Sequence, residues 1–197
     1  MQITLPRVRR SVAAIGIAVA TLVTALPAIT SPLVAEAAQS DYYLKLDGID
    51  GESASGAHPG TIQIESWSWG MSNAGSASMG GGMGSGKVSY SDLSIMHHVG
   101  KASPKLFEAC AGGKHIPNAE LFTQTQTRPP AGKTVTDTYR IRMQDVVCTS
   151  LQQTGTGSDF PTESVSFTYA KIEVSYYDQA SKTWNTAGWD IAANKKI

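Results

Sequence analysis

Residues 61–98 decide the fold: TIQIESWSWGMSNAGSASMGGGMGSGKVSYSDLSIMHH. The segment reads as a strand with two tryptophans, a loop of glycine, serine and methionine, and a second strand. Trp67 and Trp69 are two residues apart, so on a strand both indoles fall on one face and Ser66, Ser68 and Gly70 on the other. One face is heavy and the other almost bare. A bare outer face on such a strand implies that something packs closely there.

Outward from this segment, most of the chain has strand character. Residues 42–46, 87–93, 116–127, 134–151 and 163–178 are rich in Val, Thr, Tyr and Ile. Residues 47–60, 128–132 and 155–158 carry the glycine, proline and serine of turns and loops. One helix is expected over residues 104–111. Ser103 suits its N-cap, Pro104 its first position and Gly112 its stop. Leu106, Phe107 and Cys110 then share one face, set against something apolar. A single helix on a β chain points to a barrel with a helical plug or flank.

Two strand regions change phase. Ile62 and Ile64 give way to Trp67, Trp69 and Met71, and Val165, Phe167 and Tyr169 give way to Ile172, Val174 and Tyr176. Each switch means either a bulge or a strand whose halves are covered from opposite sides, the second being a subunit contact.

At these residues the chain resembles the Hcp family, the tube proteins of type VI secretion systems. The resemblance is carried in order by Trp67-Ser68-Trp69-Gly70-Met71-Ser72, the glycine run, Gly86-Lys87-Val88, Asp92-Leu93-Ser94, Lys101, Pro104, Leu106 and Gly113-Lys114-His115. Thr162-Glu163-Ser164-Val165, Ala170, Tyr176 and Gly188-Trp189-Asp190 continue it toward the C-terminus. It implies a mainly β fold: a β-barrel of two packed antiparallel sheets with one flanking α-helix, ring-forming. It also implies hexameric rings that stack into a tube, and a loop that docks onto the next ring. Residues 75–86 fit that loop through Gly75, Met79, Gly81, Met83 and Gly86, the methionines supplying soft apolar contacts; the bland alternative is a flexible linker. Residues 47–60 are set to do the same on the opposite rim. Ser68 is the candidate lumen contact, where a small polar side chain leaves room for cargo; the alternative is a serine closely covered by a neighbouring element.

The N-terminus departs from that family. Arg7, Arg9 and Arg10 precede an uncharged, largely apolar run over residues 11–26, and Pro27 and Pro32 precede Ala35-Glu36-Ala37. This is the order of a secretory signal peptide cleaved before Ala38. The run is shorter than the roughly 20 residues of a spanning helix, so no stable membrane anchor is expected. Two readings remain open: an exported relative, secreted or periplasmic, or a true start near Leu33 or Val34 and a cytoplasmic protein secreted by the type VI apparatus. The completeness of the pattern favours export. The expected domains are therefore residues 1–37, a signal peptide, and residues 38–197, an Hcp-like barrel.

Composition narrows the function. Without residues 1–37 the formal charge is near −2, with no basic track along the chain, so nucleic acid is not an expected partner. Cys110 and Cys148 fit no CxxC or zinc spacing. Unpaired cysteines are commonly buried, and export would allow a disulfide instead; sequence leaves both open. Residues 81–88 nearly spell a phosphate-binding loop, but Val88 replaces the Mg²⁺-holding Ser or Thr and Lys87 opens a strand. His97 and His98 point oppositely on a strand, so neither metal nor cofactor is expected. No nucleophile elbow or zinc-protease pair occurs, and no enzyme is expected.

The expected function is a structural subunit of stacked hexameric rings carrying effectors in the lumen, a virulence-type secretion role. Its partners would be further copies of itself, secreted effectors, and sheath and spike proteins. One alternative is an exported Hcp-like ring that acts outside the cytoplasm as a binding protein, independent of a sheath. The other is a small secreted hydrolase.

Overall fold

The alternation of inward and outward side chains that makes a half-covered strand runs through most of this chain. The computed structural model describes residues 39–73, 88–127, 134–157 and 159–197, all within one unit, Ala37–Ile197. Its elements begin with β1 (Gln39–Leu46), β2 (Ile62–Ile64), β3 (Ser66–Ser68), β4 (Met71–Asn73), β5 (Val88–Tyr90) and β6 (Leu93–His98). There follow α1 (Ser103–Ala111), β7 (His115–Thr127) and β8 (Thr134–Thr154). β9 (Thr162–Thr168), β10 (Lys171–Asp178), β11 (Thr183–Asp190) and β12 (Lys195–Lys196) complete the order. Lys195 and Lys196 pair with Asp190 and Trp189 while staying exposed.

Ten strands form one antiparallel sheet in the order β12-β11-β10-β8-β7-β1-β2, and β8 also pairs with β9, β9 with β6, and β6 with β3. β4 and β5 make a separate ribbon. β8 is long enough to serve two neighbourhoods: its first part pairs with β7 and β10, and its last part with β9. The two branches share one core, in which Leu44, Leu93, Ile95, Leu121, Ile141, Met143, Val165 and Phe167 are buried.

Both phase switches are corners in the chain and not bulges. Glu65 separates β2, which pairs with β1, from β3, which pairs with β6, and its N–H donates to the Met96 carbonyl at 2.8 Å. Ala170 separates β9 from β10, donating to the Gln144 carbonyl and accepting from the Ile191 N–H. Register shifts lie elsewhere, at Thr123/Gln124 in β7–β8 and at Cys148/Ser150 in β8–β9. The expected barrel of two packed sheets is corrected in the same way. One sheet folds over the core, and at Glu65 its branches are joined by the chain and not by a ladder, so the ladders do not close.

The helix is displaced from its expected caps. Ala102 occupies the N-cap position, and Ser103 begins the helix with its hydroxyl accepting from the Gly100 N–H. At the other end Gly112 stays right-handed and Gly113 takes the positive φ of +59°. Lys114 N–H to the Ala109 carbonyl and Gly113 N–H to the Cys110 carbonyl then complete a Schellman motif. The buried stripe is Ala102, Ser103, Leu106 and Ala109. Phe107, expected on the apolar face, is 62% exposed, because Leu106 takes the inward position and the adjacent residue turns away.

Among the described residues no helix is long and apolar enough to cross a membrane. Ala35, Ala37 and Ala38, the loop residues Gly75, Met79, Gly81, Met83, Gly86 and Lys87, and the turn at 128–132 lie outside the described residues.

Candidate functional site

The sheet has two contrasting faces turned away from the core. On the β3–β6–β9 branch, Trp67, Ile95, Val165 and Leu151 point inward in register. The pleat therefore sends their neighbours out. One outward row is Ser68, Ser94, Ser166 and Ser150, and the next is Ser66, Met96, Ser164 and Gln152. Neither row holds a charged residue. Ser66 and Ser68 are exposed, and the Ser94 and Ser166 hydroxyls bond each other at 2.9 Å. Met96, 42% exposed, is the one large apolar side chain of the patch.

Behind it the tryptophans are half-buried against the core, as their spacing implied. Trp67 meets Tyr42 edge-on at 6.2 Å and stacks on Tyr139 at 6.0 Å. Burial raises the Tyr139 phenol above its ordinary value, and Trp69 opposes that. Ser68 thus sits on a small-residue face whose reverse side is anchored by aromatic packing.

The second face covers β1, β7, β8 and β10. Lys45, Glu120, Arg142 and Glu173 make one row across it, and Tyr43, Phe122, Arg140 and Ser175 the next. Glu120 Oε1 lies 2.8 Å from Arg142 Nε and 3.2 Å from Arg140 Nε. The hydrogen bond to Glu120, with Glu173 beyond, holds the Arg142 guanidinium above its ordinary value. Arg140 lies between the Phe122 ring at 5.4 Å and the Trp184 ring at 4.7 Å. His58, from the loop before β2, stacks on Phe122 at 4.2 Å and places Nε2 2.7 Å from Asp137. Sequence alone gave His58 no role, because its partners are far away along the chain.

On β6, His97 is 2% exposed with Nε2 3.7 Å from the fully buried Glu163, whose other oxygen accepts from Gln153. His98 points the opposite way, to Glu65 at 2.7 Å, and His115 meets Asp145 at 3.0 Å. Among the described residues no three or more His, Cys, Asp or Glu side chains group as a metal site needs. Tyr169 donates to the Ser91 carbonyl, and burial, then the charges of Asp92 and Tyr90, push its phenol up to about 12. Cys110 and Cys148 form a disulfide with Cα atoms 4.8 Å apart.

Similarity to known proteins decides the family. Residues 43–176 match the family model described as "Type VI secretion system effector, Hcp". This chain belongs to the Hcp family of type VI secretion proteins. Protein hcp1 of Pseudomonas aeruginosa is 35% identical over 160 residues, covering 78% of this chain and 96% of the relative. A solved "type six secretion system protein" superposes with a TM-score of 0.72 at 31% identity, covering 81% of this chain and 100% of its own. Hcp1 from Salmonella typhimurium gives 0.65 at 30% identity, covering 80% and 99%. The Hcp match begins within β1, so residues 1–42 lie outside it.

Proposed function

We propose that this chain is a tube subunit that closes into hexameric rings, stacks head to tail, and turns its serine face toward the lumen. The observation that carries the reading is that face: two neighbouring rows of uncharged side chains, seven of eight small or amide, on an Hcp-family sheet. A wall of serines gives passing cargo hydrogen bonds without steric bulk or fixed charge. Membership of the Hcp family supplies the type VI context. In this reading the two branches meeting at Glu65 form part of the ring wall. Stacking uses a heterologous contact, one ring face meeting the opposite face of the next. Residues 75–86 are the docking loop, sheath and spike proteins drive and tip the tube, and effectors are the cargo.

Ser68→Gln tests the lumen assignment. Ring assembly measured by size-exclusion chromatography should be unchanged, while co-purification of effectors is lost. Loss of the ring itself would put Ser68 under a neighbouring subunit instead.

A second reading has its own support in the charged, apolar and small-residue segments of residues 1–37. Here the ring is exported and acts outside the cytoplasm, independent of a sheath. Intact mass of the protein from cells and from culture fluid separates the two. A species beginning at Ala38 supports the exported ring. Cytoplasmic protein beginning near Leu33 or Val34 supports the sheath-driven tube.

A further inference from the structure

α1 is a helix with little of its own to hold it. It has nine residues, no side-chain N-cap bond, no acidic residue in the first turn and no basic residue in the last. Isolated helices below about 12–15 residues are marginal in water, so this one depends on its seat. The seat is small. Leu106 is the only large side chain that α1 buries, beside Ser103 and Ala109, while Phe107 points away. Among the described residues its polar ties are the two Gly100–Ser103 bonds, a 3.4 Å contact from Lys105 Nζ to the Gly48 carbonyl, and the Schellman bonds.

The disulfide adds what the packing lacks. Cys110, in the last turn of α1, is joined to Cys148 on β8 across 38 residues of sequence. Cys148 lies at the register shift where β8 passes from its β7 partner to its β9 partner. We propose that Cys110–Cys148 is an oxidative maturation site that seats α1 on the sheet: the reduced chain folds its sheet with α1 loosely held, and oxidation latches the helix.

The chemistry balances with an external disulfide, small-molecule or protein, as oxidant. The Cys110 thiolate is the more exposed of the pair, and it attacks that disulfide to form a mixed disulfide and release one external thiol. The Cys148 thiolate then attacks the Cys110 sulfur, closing the protein bond and releasing the second thiol. Two protein thiols lose two protons and two electrons, and one external disulfide is reduced. The oxidant belongs to a compartment outside the cytosol. That compartment assignment rests on the exported-ring reading, whereas the latch itself does not.

Hydrogen exchange of the full purified protein, with and without a phosphine reductant, tests the latch. On reduction, amides of residues 103–111 should lose protection on the order of 100-fold, while those of 116–127 keep theirs. Cys110→Ser/Cys148→Ser should show the same pattern without reductant. Loss spread evenly over the sheet, or no change in the helix, would overturn the proposal. Thiol alkylation of protein from culture fluid should label nothing before reduction and both cysteines after it. Two labelled cysteines before reduction would overturn it. The N-terminal mass reads export separately, so failure of the latch and failure of the export reading are distinguishable.

Discussion

The two outward faces of this sheet are built on one core and share almost no chemistry. Over β1, β7, β8 and β10 the face is long, charged and aromatic, with Glu120 serving Arg140 and Arg142, and Arg140 held between Phe122 and Trp184. Over β3, β6, β9 and the end of β8 two rows are short and uncharged, six serines with Met96 and Gln152, bordered by His98 and its partner Glu65. Inward residues behind both faces are equally buried: Leu121 and Ile141 behind the first, Val165 and Phe167 behind the second. The core specifies the fold and leaves the outward positions free to differ. A bare face on a well-packed strand is therefore no sign of weak folding.

The largest effect should fall on both sides alike. Phe167→Ala should cost about 3–5 kcal/mol and Leu121→Ala about 2–5 kcal/mol in urea unfolding. A large loss on one side alone would break the idea of a shared core. Next, Arg140→Ala should cost about 1–2 kcal/mol, since it removes a cation from two aromatic rings and one partner each from Glu120 and from Asp137, 3.8 Å away. Added salt should shrink part of that cost. No comparable salt dependence is expected for substitutions on the serine face.

The corner joining the faces has its own signature. Tyr169, just before Ala170, is neutral in the fold, with its phenol pushed up to about 12 from the ordinary 10.0. A raised folded value means that its contribution is fully present below pH 10.0 and lost as pH rises through about 12. Stability followed by circular dichroism should fall across that window, and Tyr169→Phe should abolish this part of the fall. The smallest effect on stability is expected at the proposed lumen. Ser68→Gln should change the unfolding free energy by less than about 0.5 kcal/mol, because Ser68 is exposed.

Much of this was legible in the sequence because alternation is local. The strands around Trp67 and Val165 announce themselves by period and that around Ile141 by its Val, Thr, Tyr and Ile content, and the corners at Glu65 and Ala170 showed as phase changes. What a phase change meant was not legible: a corner, a bulge and a two-sided strand leave the same pattern. The serine rows were hidden for another reason. Ser94 meets Ser166 across 72 residues, and only the register aligns them. Phe107 was misplaced because a helix this short leaves the inward direction to neighbouring residues, and Leu106 takes it. His58 lies in a loop with no periodicity, and its ring finds Phe122 and Asp137 only in the folded sheet.

The central claim is that this domain closes into a hexameric ring, and native mass spectrometry of the purified protein tests it most directly. A single dominant species at the mass of a hexamer is the expected result. A monomer at every concentration would contradict it.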